Sequence, residues 1–313
     1  MSELGEIFAT TPWLFAGSVF LLSLMIGSFL NVVIHRLPIM LDREWTAQAR
    51  EMLAEQEPSP QQPSPPPSPT SGGRGGTYNL IVPRSRCPHC SAEIKAHQNI
   101  PVVSYLLLGG KCANCRARIS PRYPIVELVT AVLSTAVAIR FGWHWQTLAA
   151  LLLTWSLIAL TAVDLDHTIL PDAITIPLLW LGLVLSLAWH AGLRPPAPVD
   201  PGSAIIGAAA GYLSLWIVYW VFKLLTGKEG MGYGDFKLFG ALGAWMGWQM
   251  LPLVLLFSAF TGAVVGIALV VVRGRDRNIP IPFGPYLAAA GWIALMWGPQ
   301  IVGGYMEFSG LNR

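Results

Sequence analysis

Two uncharged stretches, GAAAGYLSLWIVYWVF at residues 207–222 and FGALGAWMGWQMLPLVLLF at residues 239–257, flank the segment GMGYGDFKL at residues 230–238. Their length and apolarity predict helices that lie in a lipid bilayer. Asp235 of the central segment therefore lies where a membrane helix begins. Because ionisable groups at membrane depth are costly and usually functional, we interpret Asp235 as a candidate site residue.

The composition of the whole chain indicates a membrane protein rather than a soluble domain. Of its 313 residues, 53% are hydrophobic and only 12% are charged. The 13 Trp residues suit an aromatic belt at the two surfaces of a bilayer. The basic residues form no stripe interleaved with aromatic residues, so we expect no nucleic-acid partner.

The apolar runs predict an all-α polytopic membrane protein with about eight transmembrane helices. The sixth run is the least regular, because its glycines and the nearby Pro252 could make it a broken pair with the seventh. The eight runs lie near residues 13–34, 123–141, 145–163, 173–191, 203–225, 236–249, 251–272 and 283–302.

The distribution of Lys and Arg predicts the orientation of these helices. Most basic residues lie between the first two runs, and the positive-inside rule then places residues 35–122 in the cytoplasm. Both termini fall on the non-cytoplasmic side, and the acidic start MSELGE argues against a cleaved signal peptide. We therefore predict a first transmembrane helix at 1–35, a cytoplasmic domain at 36–122 and a transmembrane domain at 123–313.

The predicted cytoplasmic domain begins with two segments that differ in composition. Residues 41–56, LDREWTAQAREMLAEQ, predict a short amphipathic helix near the membrane surface. Residues 57–76, EPSPQQPSPPPSPTSGGRGG, contain too little apolar surface to offset the entropy of ordering, so we predict a disordered insert.

The rest of this domain contains two C-x-x-C motifs, CPHC at 87–90 and CANC at 112–115. Each motif lets two thiolates reach one tetrahedral ion, and the spacing between the motifs suits a small zinc-ribbon-like unit. Two disulfides are the alternative, which the predicted reducing compartment disfavours. We predict a structural zinc site with four sulfur ligands, and His89 is then not needed as a ligand. The ligands would be Cys87, Cys90, Cys112 and Cys115.

A second membrane-depth carboxylate occurs in TAVDLDHTILPD, residues 161–172, where Asp164 ends a long uncharged stretch. The chain crosses the bilayer twice between Asp164 and Asp235, so the two carboxylates are predicted at the same face. Two carboxylates held close together cannot both ionise at low cost. One can then take a proton from water while the other, protonated, polarises a peptide carbonyl, which is acid–base peptide hydrolysis.

The residues next to Asp164 and Asp235 in the sequence suggest substrate approach, charge effects or helix capping. Gly232 and Gly234 lack side chains, so an extended substrate backbone could approach Asp235 there. Lys237 is either a membrane-surface anchor or a group that biases the titration of Asp235. Asp172 is interpreted as a helix cap, and Asp166 and His167 are interpreted as solvated loop groups.

These motifs resemble the bacterial type IV prepilin peptidase family, within the GxGD class of intramembrane aspartyl proteases. The GxGD pattern is matched at Gly232, Gly234 and Asp235, and the family's other catalytic Asp, seven residues before a Pro, corresponds to Asp164. Further blocks similar to the family are GSFLNVVIHRLP at 27–38, NIPVVSYL at 99–106, PRYPIVELVT at 121–130 and IPFGPYLAAAGW at 281–292.

The resemblance implies a bifunctional enzyme of the bacterial inner membrane. Members cleave the basic leader of type IV prepilins and type II secretion pseudopilins, typically after a Gly and before a Phe or Met. They then N-methylate the new terminus with S-adenosylmethionine. No G-x-G-x-x-G motif follows a strand, which argues against an ordinary dinucleotide-type fold for the methyl donor. The resemblance suggests four residues for the methyl-donor site: Asn31, Arg36, Asn99 and Glu127.

Two other classes of protein remain open from the residues alone. Asp164 and Asp166 could hold Mg²⁺ in a membrane transferase that acts on a lipid phosphate. An ion-coupled transporter could also use buried carboxylates. The transporter is disfavoured because both aspartates of the predicted pair lie at helix ends, with no second charge near the bilayer midplane.

Overall fold

The computed structural model describes residues 3–56, 78–187, 199–273 and 282–310. Within these ranges the chain forms helices and no β-strand, which confirms the predicted all-α class. The predicted Pro-rich insert at 57–76 lies outside the described residues. The α-helices are α1 (Glu3–Thr10), α2 (Pro12–Gln56), α3 (Val103–Leu107), α4 (Arg122–Phe141), α5 (Trp145–His167), α6 (Asp172–Leu187), α7 (Pro201–Thr226), α8 (Tyr233–Met246), α9 (Leu251–Arg273) and α10 (Gly284–Phe308).

Each of the predicted apolar runs coincides with one of the helices α2 and α4–α10. Among the described residues, five helical segments are long and apolar enough to cross a bilayer; they lie within α2, α4, α5, α7 and α9. The chain is therefore a multi-pass membrane protein. The number of spans and their orientation stay predictions, because α6 is a shorter apolar helix and α8 is shorter still.

Helix α8 lies at the centre of the transmembrane part. Its 14 residues rise about 21 Å, which is less than the hydrocarbon thickness of roughly 30 Å. It ends at Gly247, whose φ of +78° turns the chain into a short 3₁₀-helix before α9. The sixth run is thus the shorter half of a broken pair. Nearly every residue from Asp235 to Met246 is buried, as expected for a helix that is apolar all round.

Helices α7 and α8 pack with their backbones in contact. A Cβ atom added to Gly207 of α7 would overlap the carbonyl of Gly243 of α8, and one added to Gly211 would lie 2.6 Å from the carbonyl oxygen of Phe239. Spacing of small residues by four is a common device for close helix approach in membranes. On another side of α8, the Trp245 Nε1–H donates a hydrogen bond to the Leu178 carbonyl of α6 at 2.8 Å. These contacts fix the position of α8, and with it Asp235.

Helix α2 is longer than the sequence predicted. It continues from Pro12 to Gln56 with Pro38 inside it. Residues 41–56 are therefore helical as predicted, but they continue α2 and do not form a short helix of their own. Pro38 removes one backbone hydrogen bond but does not end the helix, because the flanking residues are good helix formers. The membrane part of α2 packs closely against α4, where a Cβ added to Gly27 would lie 2.7 Å from the Cα of Glu127.

Candidate active site

Asp164 and Asp235 come from helix ends that meet. Asp164 lies in the last turn of α5, and Asp235 lies in the first turn of α8. Both are buried, with relative exposures of 5% and 6%, and their carboxylates are close enough to act on each other electrostatically. The structure therefore brings together the two aspartates that the sequence predicted as a pair.

Each carboxylate has one oxygen that accepts no hydrogen bond from the described part of the chain. Asp235 Oδ2 accepts a hydrogen bond from the Gly232 backbone N–H at 3.2 Å, while its Oδ1 is buried without a partner. Asp164 interacts with the backbone N–H of Gly284, and its Oδ2 is likewise buried without a partner. Buried polar atoms are nearly always paired in native proteins, so two unpaired oxygens indicate a site built for chemistry or for a ligand.

The N-terminus of α10 forms the third side of this site. A Cβ added to Gly284, the first residue of α10, would lie 2.6 Å from Asp164 Oδ2, so only glycine leaves room for the carboxylate. The dipoles of α8 and α10 both place their positive ends near the two aspartates, where negative charge is favoured. Gly284 is a site residue that the sequence analysis missed, although it lies in the quoted block at 281–292.

Leu170 packs between two glycines of the site. Its side chain is buried and contacts the positions where Gly234 and Gly284 lack a Cβ, at 2.6 Å and 3.1 Å from the added atoms. The free face of Gly234 is therefore filled by the protein itself. Gly232 is exposed, and the atom nearest to its added Cβ is Asp235 Oδ2 at 3.6 Å. Of the two glycines that were predicted to admit a substrate backbone, Gly232 alone has an open side.

The other carboxylates nearby are neutralised by basic residues. Asp166 forms an ion pair with Arg122 at the start of α4. Asp172, the first residue of α6, accepts a hydrogen bond from Lys237 Nζ at 2.7 Å. In the described ranges no basic side chain is paired with Asp164 or Asp235. The contrast separates two carboxylates that hold helices together from two that are available for chemistry.

The alternative of a magnesium site on Asp164 and Asp166 finds no support in this geometry. Asp164 is buried, whereas Asp166 is exposed and already bonded to Arg122. Residues two apart on a helix point in nearly opposite directions, so their carboxylates do not converge on one ion. Among the described residues, the cysteine group is the one cluster that could hold a metal.

The four cysteines lie together with free thiols. Their sulfur atoms all lie within 4.8 Å of one another, and Cys87 Sγ and Cys115 Sγ are 3.8 Å apart. Zn–S bonds of about 2.3 Å in a tetrahedron place neighbouring sulfurs about 3.8 Å apart. A disulfide requires about 2.05 Å, so the cluster fits a zinc ion and not a pair of disulfides.

Each C-x-x-C motif and the residues after it form one knuckle of the cysteine module, which spans residues 86–119. The two knuckles have the same backbone structure. Cys87 and Cys112 each donate a backbone hydrogen bond to an alanine carbonyl five residues on, Ala92 and Ala117. Ser91 and Arg116, each four residues after the first cysteine, both have a φ of +57°. The structure therefore contains a two-fold repeat, RCPHCSAEI at 86–94 and KCANCRARI at 111–119. The sequence analysis did not use this repeat, although the shared pattern C-x-x-C-x-A-x-I reveals it.

One knuckle has an additional polar contact to sulfur. Asn114 Nδ2 lies 3.6 Å from Cys90 Sγ, and this donor lowers the pKa of the Cys90 thiol. A thiolate is the form that binds zinc. The equivalent residue of the other knuckle, His89, is exposed and does not belong to the sulfur cluster.

The resemblance suggested four residues for a methyl-donor site. The side chains of three of them form hydrogen bonds to backbone groups of the protein. Asn31 donates to the Tyr123 carbonyl at 3.0 Å. Arg36 donates to the carbonyls of two residues in the segment after the described gap. Glu127 accepts from the Val102 backbone N–H at 2.8 Å. Asn99 is exposed at the end of a 3₁₀-helix. The hydrogen bonds of Asn31, Arg36 and Glu127 join α2 and α4 to each other and to the segment between them that contains the cysteines.

Fold and site together define a polytopic membrane protein with a paired-aspartate site and a four-cysteine module. Residues 21–141 match the family model for the bacterial peptidase A24 N-terminal domain, and residues 151–267 match the type IV leader peptidase family.

Full-length relatives agree with these matches. The chain is 56% identical over 307 residues to the prepilin leader peptidase/N-methyltransferase of Aeromonas salmonicida, which covers 98% of this chain and 99% of the relative. It is 53% identical over 307 residues to the protein of that name from Pseudomonas aeruginosa, with the same coverage. The chain therefore belongs to the type IV leader peptidase family. No significant match to a solved structure was found.

Proposed function

We propose that this protein cleaves the leader peptide from type IV prepilins and then N-methylates the new N-terminus. The observation that carries the proposal is the buried pair Asp164 and Asp235. Each has one carboxylate oxygen that accepts no hydrogen bond from any described residue. The relatives, 46–56% identical, whose names include both activities provide independent support. Pseudopilins of type II secretion are proposed as substrates because the resemblance implies them.

The proposed cleavage uses the two aspartates as an acid–base pair. Because the two carboxylates repel each other, one proton shared between them is more favourable than two full charges. The ionised carboxylate takes a proton from a water molecule as that water attacks the scissile carbonyl. The protonated carboxylate donates its proton to the carbonyl oxygen, which gives a tetrahedral gem-diol. The C–N bond then breaks as the leaving amine takes the proton that came from water and a diol hydroxyl returns a proton to the other carboxylate, so that the pair regains its starting state. Gly232 supplies the open approach for the substrate backbone.

The proposed methylation and zinc site belong to the α2–α4 half of the protein. S-adenosylmethionine would supply the methyl group that the newly exposed amine accepts. We propose the donor site at the junction where Asn31, Arg36, Asn99 and Glu127 lie. Asn31, Arg36 and Glu127 would act there by fixing backbone segments, as their hydrogen bonds support. Zinc on the four cysteines would stabilise this half of the protein.

We also propose that the protein resides in the bacterial inner membrane with the aspartate pair at the cytoplasmic face. The support is the excess of basic residues in the segment between α2 and α4, which the positive-inside rule assigns to the cytoplasm. In this orientation the basic leader of a prepilin stays on the same side as the aspartates.

The proposal is tested with purified protein in lipid, a prepilin and isotope-labelled S-adenosylmethionine. Mass spectrometry of the product's N-terminus reads cleavage and methylation separately. We expect Asp164→Asn and Asp235→Asn each to abolish cleavage, whereas methylation of a prepilin already lacking its leader continues. Asp166→Asn and Asp172→Asn are matched controls, because each removes a carboxylate that forms an ion pair next to the site. Cleavage by either of the first two variants at the wild-type rate would exclude the aspartate mechanism.

A further inference from the structure

The segment between α2 and α4 that contains the cysteines reaches, at residue 102, deeper into the predicted membrane than the first turn of α4. The Val102 backbone N–H donates to Glu127 Oε2 at 2.8 Å, and Glu127 is buried. Glu127 lies about 8 Å along α4 from its first residue, Arg122. Its backbone also contacts Gly27, which lies about 10 Å inside the apolar run of α2. The chain at residue 102 therefore lies at the depth of the part of the bilayer that is nearest to the membrane surface on this side.

The hydrogen bond from Val102 to Glu127 forms although Val102 has an unfavourable backbone conformation. Val102 has a φ of +58°, which β-branched residues rarely adopt. The Ser104 hydroxyl stabilises the preceding turn, because it accepts from the Ile100 N–H at 3.0 Å and donates to the His97 carbonyl at 2.9 Å. The hydrogen bond to Glu127 thus fixes the depth of this segment, and the two hydrogen bonds of Ser104 fix its local shape.

The helix that follows presents large apolar side chains away from the protein. α3 begins at Val103 and rises about 8 Å, and its Leu106 and Leu107 have relative exposures of 70% and 82%. At the depth of Glu127, α4 exposes Ile125 and Leu128 to the bilayer. Helix α3 therefore begins at the level of a surface of α4 that is expected to face lipid.

Basic side chains lie next to the end of α3. Lys111 and Arg118 line a groove with Tyr105 and Ser120, between the end of α3 and the start of α4. Apolar side chains at the acyl boundary with cations at the headgroup level are the pattern of an interfacial anchor in anionic lipid.

We propose that α3 is a membrane anchor: Leu106 and Leu107 insert into the interfacial layer of the bilayer, with Lys111 and Arg118 at the phosphate groups. The cysteine module is then held against the membrane through a third attachment, in addition to α2 and α4. The occupant of this apolar face is phospholipid rather than a second copy or a substrate helix.

The test measures the depth of a fluorescent non-canonical amino acid placed at Leu107, which leaves all four cysteines intact. The protein is reconstituted in bilayers with bromine, a quencher, at shallow or deep acyl positions. Met52 is the control for a solvent-exposed apolar side chain, because it is 65% exposed near the end of α2, about 27 Å beyond the apolar run. Val132, exposed further along α4, is the control for a lipid-facing side chain.

We expect shallow bromines to quench the label at Leu107 more strongly than deep bromines, and the order to reverse at Val132. The label at Met52 should not be quenched by either. Quenching at Leu107 no greater than at Met52 would overturn the proposal, whatever else then covers the face. Zinc content reports whether the labelled domain is folded. If labelling of Leu107 lowers the zinc content, the same measurement at Leu106 decides the question.

Discussion

The cysteine module and the aspartate site are both small clusters of ionisable groups, and they are assembled in different ways. The four cysteines come from two short knuckles with the same hydrogen-bond pattern, both within the single chain segment between α2 and α4. The aspartate site takes its parts from α5, α8, α10 and the loop that contains Leu170. The module depends on local sequence and on the proposed zinc ion, whereas the site depends on how membrane helices pack.

This difference predicts that the two clusters fail independently. Loss of the metal should unfold the module and leave helix packing around α8 intact. A change of packing near α10 should disturb the aspartates and leave the module unchanged. The four predictions below test this separation, beginning with the largest expected effect.

The largest effect is expected for Cys87→Ser. Zinc binding contributes about 10–16 kcal/mol in small zinc-binding peptides, so loss of one ligand should release the ion and unfold the module. We expect zinc to fall from about one ion per chain to none, methylation to be lost, and leader cleavage to continue. Metal analysis and the two product assays measure this. Asp235→Asn is the reciprocal control, because it should keep zinc and lose cleavage; a variant of Cys87 that loses both activities would contradict the separation.

Gly284→Ala is expected to reduce leader cleavage by about 100-fold, because a displacement of about 1 Å in a catalytic group can have that effect. The added methyl group would lie 2.6 Å from Asp164 Oδ2 and must displace the carboxylate or α10. Gly303→Ala is the matched control, since it lies on the same helix with open space around its added Cβ. Zinc content should stay the same in both variants. Cleavage by Gly284→Ala at the rate of Gly303→Ala would show that α10 does not support the site.

A smaller effect is expected for Asn114→Ala, which removes the donor to Cys90 Sγ. Loss of a hydrogen bond to a metal ligand typically weakens metal binding by about 10–100-fold. Competition with a chelator measures the zinc affinity. His89→Ala at the equivalent position of the other knuckle should keep the wild-type affinity, and equal effects of the two substitutions would disprove the role of the Asn114 amide.

The smallest effect is expected for the Lys237–Asp172 pair. Both side chains are partly exposed, so their interaction should contribute only about 0.2–1 kcal/mol to stability. A double-mutant cycle with Lys237→Met and Asp172→Asn, read by thermal unfolding, measures this coupling. If Lys237 only joins α8 to α6, both single variants keep the wild-type cleavage rate. A loss of cleavage confined to Lys237→Met would instead support a role beside Asp235.

The sequence predicted those features that depend on composition and short spacing. The apolar runs, the two C-x-x-C motifs, and Asp164 and Asp235 at the ends of uncharged stretches are all visible locally. The glycine contacts of α7 and α8 could also have been predicted, because GAAAG at 207–211 has the small-xxx-small spacing.

Other features depend on which helices become neighbours, and the sequence alone does not specify this. Lys237 was considered as a partner of Asp235 two residues away, but helix packing pairs it with Asp172 of α6. Gly284 became part of the site because α10 starts beside Asp164. The continuation of α2 through Pro38 was missed, since a proline and a charged segment after an apolar run usually mark a helix end.

Because α8 is surrounded by protein and too short to match the bilayer thickness, lipid does not set its position. A thicker or thinner membrane would be accommodated by tilting of the helices with exposed sides, such as α7 and α9. Such tilting acts on Asp235 only indirectly, through the helices packed around α8, because α8 itself is buried among them. The arrangement would let the site keep its geometry as the lipid composition of the cell changes with growth temperature.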